Sequence, residues 1–566
     1  MALRSLGRIG RVFSWSRSPD TTASSLASRL DSLVPTFEEL MKIGGTPGLA
    51  LTVTDGEDVI YEKTIGYSDE SKKELVTKDT VFPICSLSKA FTTAALGILV
   101  HEGKLSWDTR IIDILPDYLP PDSTLHDQLT VEDCLSHRSG MAWADNLVIG
   151  SAGNVLVPGR DGLRYVSTQT RLLPFRGVFA YNNLPYELAA QVLEKISGVS
   201  WQEFVQKRLL DVLGLKNTYL REPPSATPNV ATCYNALEDA KAVPIPCIQA
   251  GNDRFAGPSG GIRSTTADLA CVYKEFVRSL RDQYATGKTS TKNSPFCQVA
   301  QLTSGRIAMT TPSLNEATYA LGWGRVQLPG SMGQIGINPG LLPDGSMPVV
   351  GKGVSSPPLV IFHQGSWPGA LSFVALLPDR NMTVNVLSNS LALHDVADWV
   401  GQMVIEELIC VPPAKRIDAL GLARKAVKAN RDWFPQLKRE LDEGRANGSA
   451  SPQVRLEAYT GTYWDDAKIV KINVTLEDSG KTLYWTLQDR ATEKYALTHY
   501  RDDVFTWLQP RNELSQRGRW VGSDQGPEFW KLYFQVNAAT GSVDAVQWAH
   551  DTGVPPIVFK KQASKL

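Results

Sequence analysis

The 566-residue sequence contains no run of apolar residues as long as a membrane span, so it offers no candidate for a transmembrane helix. It also has no excess of one charge, because 58 Lys and Arg stand against 59 Asp and Glu. A net charge of −1 gives no electrostatic reason to expect binding to nucleic acid or to an anionic membrane. The hydrophobic content of 42% is typical of a globular protein, and this length predicts a large enzyme domain with a smaller one.

Cysteine is scarce, and its seven positions are scattered and odd in number. This pattern predicts buried thiols in a reducing, intracellular compartment and not a disulfide framework. No metal-ligand spacing and no glycine-rich phosphate loop is present, so no cofactor is implied. The cysteines are Cys85, Cys134, Cys233, Cys247, Cys271, Cys297 and Cys410.

The two ends of the chain carry different targeting signals. The first 18 residues contain four arginines and no acidic residue, which faintly resembles a mitochondrial presequence but is more simply a basic tail over residues 1–29. The last three residues, Ser564-Lys565-Leu566, form a peroxisomal import tripeptide. The sequence therefore predicts a peroxisomal protein that binds the import receptor, with the cytoplasm or mitochondrion as the alternative.

The first candidate for chemistry is the pair Ser86 and Lys89, which precedes an apolar run over residues 90–99. Residues three apart share one face of a helix, so a hydroxyl and an amine are held side by side. A serine hydroxyl needs a neighbouring base to become a nucleophile, and a lysine can be that base if burial lowers its pKa. The structural alternative is a serine that caps the helix.

A second polar cluster, Tyr181-Asn182-Asn183, stands directly before a predicted helix over residues 185–196. A cation beside a tyrosine lowers the pKa of the phenol, so Tyr181 is a candidate for proton transfer next to Lys89. The amide of Asn183 could hold Lys89 or a substrate carbonyl. An ordinary turn is the alternative interpretation.

A third cluster covers residues 362–369 and includes His363, Gln364, Gly365 and Ser366. It lies between two β-prone runs. Glycine-rich backbone on a strand edge can offer an N–H group to a carbonyl oxygen, as an oxyanion-hole donor does. A structural histidine is the commoner alternative for His363.

The three clusters in this order make residues 30 to 410 resemble the serine β-lactamase and penicillin-binding-protein superfamily, in its class C and esterase-type branch. The resemblance implies an α+β fold, with an antiparallel sheet flanked by helices, a helical subdomain, and the site between them. Further motifs that carry it lie at residues 103–108, 129–140, 213–215, 260–269 and 321–324 and in the strand ending at Asn389.

By this resemblance Ser86 is the nucleophile that is acylated and Lys89 is its activating base. Tyr181 passes the proton to the leaving group and back. The backbone N–H groups of Ser86 and Ser366 are implied to form the oxyanion hole. The residues implied on the oxyanion and substrate-binding side are Ser366, His363, Asn183 and Gly365.

One departure from the family pattern affects the expected substrate. Class C β-lactamases carry Lys-Thr-Gly where this chain has His363-Gln364-Gly365. A neutral histidine is a weak substitute for a permanent cation that grips a substrate carboxylate. The sequence therefore favours esters, thioesters or amides over β-lactams.

The composition changes after Cys410, which ends a predicted catalytic domain over residues 30–412. Residues 413–452 are predicted to be a helical linker, and residues 453–566 a separate small β-barrel. The opening at residues 459–463 resembles the lipocalin-like domain often fused behind this catalytic domain. Its aromatic residues are candidates for a ligand pocket or, more often, barrel core. They are Trp464, Tyr484, Trp485, Trp507, Trp530 and Trp548.

The sequence thus predicts a serine hydrolase of the esterase or amidase type that acts on a small molecule through an acyl-enzyme. An acyltransferase of a biosynthetic pathway would use the same intermediate. A catalytically silent scaffold or binding protein is the alternative from another class, but it has no need of Ser86, Lys89 and Tyr181 together. The sequence indicates neither the acyl group nor the oligomeric state.

Overall fold

The computed structural model of the protein describes residues 25–251, 255–310, 314–445 and 448–563. Most of the basic N-terminal tail and the tripeptide Ser564-Lys565-Leu566 lie outside the described residues. An α+β domain is followed by a closed β-barrel, which confirms the predicted fold class.

A nine-stranded antiparallel sheet forms the centre of the first domain. Its strands are apolar on both faces where helices cover them, as the buried pattern of Gly48–Asp55 shows. Leu49 and Leu51 of that strand pack towards one layer of helices, and Ala50 packs towards the other. In spatial order the strands are Glu74–Leu75, Asp58–Asp69, Gly48–Asp55, Met382–Ser388, Ala370–Leu377, Leu359–Trp367, Gly324–Gln327, Ala317–Tyr319 and Ile307–Ala308.

Helices cover both faces of this sheet. Val34–Gly44 and Val396–Leu408 pack on one face, and Thr266–Thr286 packs on the other. The N-terminal segment forms two helices, and Pro35 lies in the first turn of the second one, Val34–Gly44. The first of the two is Leu26–Asp31.

A helical subdomain stands at the edge of the sheet, around the buried helix Ser88–His101. Thr130 forms a capping box with Asp133 at the start of the Val131–Leu135 helix. The other helices of this region are Ile111–Ile114, Ser123–Gln128, Asp145–Val148, Gly162–Val166, Leu184–Ser197, Trp201–Val205, Asp211–Leu213, Gly257–Gly260 and Val299–Leu302. Short strands pair Phe82–Pro83 with Arg263–Ser264, Gly330–Ser331 with Val349–Val350, and Cys233–Ala236 with Ala242–Ile245 and Ser390–Leu391.

The long helix Ala419–Arg445 leads from the first domain to the barrel and packs against Val34–Gly44. Eight strands close the barrel. Four fully buried tryptophans fill its interior with ring centroids 4.5–6.2 Å apart, so they are barrel core. These are Trp485, Trp507, Trp530 and Trp548. The strands are Gly461–Trp464, Lys471–Glu477, Thr482–Leu487, Lys494–Arg501, Val504–Thr506, Lys531–Val536, Val543–Trp548 and Ile557–Lys561. The helices Leu456–Tyr459 and Arg511–Gln516 flank them.

The barrel is not isolated from the first domain. One hydrophobic core runs through both domains, and buried polar groups join them. The Ser151 N–H donates to Glu493 Oε1 at 2.6 Å, and Gln525 Nε2 donates to Asn146 Oδ1 at 2.6 Å. Buried hydrogen bonds of this kind fix the orientation of two packed units.

The seven cysteines are free thiols. Four are buried as predicted, but Cys271 and Cys410 are exposed because they lie at a solvent-facing helix position and in a turn. In the part of the chain that the structure describes, no helix is both long and apolar enough to cross a membrane.

Candidate active site

Ser86 lies in a 3₁₀ turn, Cys85–Leu87, that leads directly into the helix Ser88–His101. Its side chain is only 8% exposed. Lys89 stands on the first turn of that helix and donates from Nζ to Ser86 Oγ at 3.1 Å. The three-residue spacing therefore holds the hydroxyl and the amine together by local geometry, as the sequence indicated.

The amine of Lys89 is fully buried, and burial lowers its pKa to about 7, although the carboxylate of Asp145 opposes that shift. Besides Ser86, Nζ contacts Asn183 Oδ1 at 2.7 Å and the Ser259 carbonyl at 2.9 Å. Near pH 7 a large fraction of this lysine is neutral, so it can accept a proton from Ser86. The contribution of Ser259 is not visible from spacing, because it comes from a backbone carbonyl.

Asn183 is held by a second polar contact behind it. Its Nδ2 donates to Asp145 Oδ1 at 3.0 Å, which turns its carbonyl oxygen towards Lys89. Burial raises the pKa of Asp145 to about 6. Of the two alternatives for Asn183, the structure shows contact with Lys89, and it adds Asp145, which no sequence pattern indicated.

The phenol of Tyr181 lies beside the same pair, but its pKa differs from the sequence-based expectation. Burial is the largest effect and raises the pKa of Tyr181 well above its ordinary value, while the Ser86 hydroxyl lowers it only in part. Lys89 Nζ sits 4.9 Å from the ring centroid, above its face and not at the oxygen. The expectation that a cation would lower this pKa is wrong, because Lys89 is itself partly neutral and the phenol is desolvated.

The hydroxyl of Tyr181 has no well-formed hydrogen bond to any residue that the structure describes. A protonated phenol that lies beside the Ser86 hydroxyl is suited to donate a proton to a leaving group. It is less suited to accept one from Ser86, so the geometry favours Lys89 as the base.

We expect Tyr181→Phe to lower kcat about 10²-fold for alkyl esters and amides, whose leaving groups need a proton, and much less for p-nitrophenyl esters. Steady-state kinetics on matched esters measure this difference. Tyr186→Phe is the control, because the Tyr186 ring also lies 5.1 Å from Lys89 Nζ but its hydroxyl donates to the Leu135 carbonyl. Equal losses on good and poor leaving groups would argue against proton donation by Tyr181.

The third cluster is part of a regular strand, Leu359–Trp367, and not a loop. Side chains alternate along a strand, and here Gln364 and Ser366 face the cavity. His363 is buried on the other side, where Tyr319 Oη is 2.9 Å from its Nε2 and the Gln364 carbonyl is 2.5 Å from its Nδ1. Burial lowers the pKa of His363 to about 3. It is neutral and does not line the cavity, but its ring centroid lies 6.1 Å from that of Tyr181, so it packs behind the site.

Gly365 allows this strand to touch the turn that carries Ser86. A Cβ atom at position 365 would lie 2.8 Å from Cys85 Cβ and 2.9 Å from the Ile84 carbonyl oxygen, closer than a side chain tolerates. The next residue, Ser366, is therefore brought up against the Ser86 turn. This close approach fits the predicted pair of N–H donors at Ser86 and Ser366.

The site opens into a cavity of about 420 Å³ that the two domains build together. Ser86, Tyr181, Ser366, Trp143 and Trp367 line it from the first domain. The facing wall comes from the barrel: from the segment between the strands Val504–Thr506 and Lys531–Val536, and from a turn at residues 551–552. The sequence did not predict this wall, because a separate barrel was expected. The lining residues of this wall are Arg511, Ser515, Arg519, Trp520, Val521, Gly522, Ser523, Asp524, Asp551 and Thr552. Over the described ranges, no group of three or more His, Cys, Asp or Glu could hold a metal ion.

Comparison with known proteins gives two family matches. Residues 33–402 match the model described as Beta-lactamase, and residues 445–561 match one described as a domain of unknown function, DUF3471. In solved structures, the octameric penicillin-binding protein homologue from Pyrococcus abyssi superposes with a TM-score of 0.55. At 19% identity, covering 94% of this chain and 99% of that one, this likeness shows the fold alone.

Three curated relatives illustrate the similarity. The unguisins hydrolase of Aspergillus campestris is 23% identical over 79% of this chain and 78% of its own length. The unguisins hydrolase of Aspergillus violaceofuscus is 24% identical over 83% of this chain and 81% of its own length. Penicillin-binding protein 4 of Amycolatopsis lactamdurans is 29% identical over 41% of this chain and 60% of its own length.

Proposed function

Because the chain belongs to the beta-lactamase family, we propose that it is a serine hydrolase of the esterase or amidase type that forms an acyl-enzyme on Ser86. One observation carries the proposal. The buried amine of Lys89 lies 3.1 Å from Ser86 Oγ, and burial lowers its pKa to about 7. A nucleophile and a base matched to neutral pH are therefore in contact at the cavity wall.

In the first half of the proposed reaction, neutral Lys89 takes the proton of Ser86 as Oγ attacks the substrate carbonyl. The N–H groups of Ser86 and Ser366 stabilise the negative charge on the carbonyl oxygen. Tyr181 then protonates the leaving group, the acyl group stays on Ser86, and the proton that Lys89 took passes to Tyr181, so that both groups are restored. In the second half, Lys89 takes a proton from water as the water oxygen attacks the ester. The Ser86 oxygen leaves with a proton from Tyr181, which Lys89 replaces, and the acid is released.

Hydrolysis and acyl transfer share this intermediate and differ only in the acceptor. The names of two relatives, both hydrolases, support water as the acceptor. The facing wall from the barrel, together with Trp143 and Trp367, partly encloses the cavity, and enclosure favours a second acceptor over water. Adding an amine or alcohol to the assay and measuring the acylated product separates the two outcomes.

We expect faster turnover of short or medium p-nitrophenyl esters than of a chromogenic cephalosporin. The position that carries a cation in class C β-lactamases is here a buried histidine whose pKa is about 3. Side-by-side kinetics with both substrates measure the preference, and the Ser86→Ala protein supplies the background rate. Faster cephalosporin turnover would remove the esterase assignment, whereas no Ser86-dependent turnover of any acyl substrate would favour a silent scaffold.

A peroxisomal location is a separate proposal that rests on Ser564-Lys565-Leu566. Peroxisomes hold acyl thioesters, so this location would widen the substrate class to thioesters. An N-terminal fluorescent fusion, with and without these three residues, tests it. A diffuse or mitochondrial signal from the intact chain would remove the proposal and leave the serine chemistry untouched.

A further inference from the structure

The barrel domain brings to the cavity an arginine whose charge has no counter-ion among the residues that the structure describes. Arg511 begins the helix Arg511–Gln516, is only 4% exposed and belongs to the cavity wall. Its Nη2 donates to Asn430 Oδ1 at 2.8 Å. Its Nε and Nη1 have no hydrogen-bond partner among the residues that the structure describes.

No carboxylate in the described ranges lies within ion-pair distance of this guanidinium. Burial lowers the pKa of Arg511, Glu238 raises it from a longer distance, and Arg431 opposes Glu238. A guanidinium stays protonated even when it is partly desolvated, so the buried charge persists. A buried charge without a partner is costly, and an anion in the cavity would compensate it.

A second arginine in the same wall, Arg519, has its charge compensated by a carboxylate. Arg519 is 1% exposed, and its Nη1 lies 3.6 Å from Glu493 Oε2. It also sits 5.0 Å from the ring centroid of Trp507. Nε and Nη1 of Arg519 also lack hydrogen bonds, but its charge has a carboxylate counter-ion inside the barrel. Among the described residues, Arg511 has no such counter-ion.

The acidic residues that line the cavity hydrogen-bond to amides of the first domain. Asn146 Nδ2 donates to Asp551 Oδ1 at 3.1 Å and to Asp524 Oδ2 at 3.3 Å. Asp145 accepts from Asn183. These carboxylates contact amides of the first domain, whereas the hydrogen-bond partner of Arg511 is Asn430 on the long connecting helix. None of them forms an ion pair with Arg511, so its charge remains available to an anionic ligand.

We propose that Arg511 binds an anionic oxygen group, a carboxylate or a phosphate, carried by the substrate of Ser86. The inference rests on the proposed function and names its substrate class as acyl compounds with a negative charge. A guanidinium suits either anion because two of its N–H groups can bind two oxygens at once. Class C β-lactamases have a lysine where this chain has His363, and here the barrel supplies a cation from another wall of the cavity. The anionic group of the substrate is therefore expected at a different place from the carboxylate of a bound β-lactam.

The first test is binding to the Ser86→Ala protein, which cannot turn over substrate. Calorimetric titrations with glutarate, inorganic phosphate and the neutral analogue glutaramide measure recognition directly. We expect glutarate or phosphate to bind at least about tenfold more tightly than glutaramide, and the tighter of the two anions identifies the source of the charge. In the Ser86→Ala background, a second substitution, Arg511→Gln, should remove the preference for the anion over glutaramide, whereas Arg511→Lys should keep part of that preference.

Arg431→Gln is the matched control, because Arg431 is an exposed arginine close enough to affect Arg511 but outside the cavity wall. Thermal unfolding of each variant checks the fold. If Arg511→Gln does not fold, the Arg511→Lys protein still tests whether Arg511 binds the anion. Weaker binding of the anion with unchanged binding of glutaramide in that protein would support contact at Arg511. Equal binding of glutarate and glutaramide, or equal losses in the Arg431 variant, would overturn the inference.

A kinetic test with active enzyme keeps the two proposals apart. The p-nitrophenyl monoester of glutarate should have a kcat/KM at least about tenfold above that of p-nitrophenyl butyrate, and Arg511→Gln should lower only the former. Turnover of both esters without an Arg511-dependent preference overturns the inference and leaves the serine hydrolase standing. Anion binding at Arg511 in a protein that hydrolyses neither ester overturns the proposed function instead.

Discussion

Replacing Ser86 with alanine is expected to abolish turnover, lowering kcat by several orders of magnitude while the fold remains intact. The substitution removes the oxygen that would carry the acyl group, and loss of an activated serine has effects of this size in other enzymes. Lys89 keeps its contacts with Asn183 and the Ser259 carbonyl, so the loss of stability should be about 1 kcal/mol or less. Ester hydrolysis and thermal unfolding, measured on the same preparation, test both parts.

Ser106→Ala, at an exposed serine outside the cavity, serves as the control for this variant. Its rate should equal that of the wild type. A Ser86→Ala protein that kept more than about a tenth of the wild-type rate would show that another group is the nucleophile.

Replacing Lys89 with methionine is expected to lower kcat/KM about 10³-fold, since the base that receives the Ser86 proton is lost. Methionine fills a similar volume, so packing around the buried helix is largely kept. Lys89→Arg makes the sharper comparison, because a guanidinium keeps the positive charge but does not release its proton near neutral pH. An active arginine variant would mean that Lys89 acts through its charge and not as a base.

The pH dependence of the wild-type enzyme follows from the same group. A base works only when it is unprotonated, so kcat/KM should rise with pH and then level off. Because burial lowers the pKa of Lys89 to about 7, the half-maximal value should fall near pH 7. A rate that keeps rising to pH 10 would show that the lysine has its ordinary pKa and that the proposed base is misassigned.

The parts of the site that the sequence predicts are those that local geometry determines. Ser86 and Lys89 meet because they are three residues apart at a helix start. Asn183 is 94 residues from Lys89, and the sequence left open whether its amide holds Lys89 or a substrate carbonyl. The helix predicted over residues 185–196 is observed as Leu184–Ser197, because the signals of a helix are also local.

Three features of the site could not be predicted from the sequence, because they depend on burial and on packing between distant segments. The pKa of Tyr181 was misjudged because the effect of a neighbouring charge can be guessed from sequence, whereas the extent of desolvation cannot. The orientation of His363 required the strand register, since a shift of one residue exchanges the two faces. Arg511 lies 425 residues after Ser86, in a domain with no catalytic motif, and only the packed structure brings it to the cavity.

The most direct test of the central claim is to identify the residue that becomes acylated. The wild-type protein is incubated with a fluorophosphonate probe, or quenched during turnover of a slow ester, and its peptides are mapped by mass spectrometry. We predict one adduct per chain on the peptide that contains Ser86, and none in the Ser86→Ala protein. An active enzyme whose adduct lies on another residue, or that forms no adduct at all, would contradict a Ser86 acyl-enzyme.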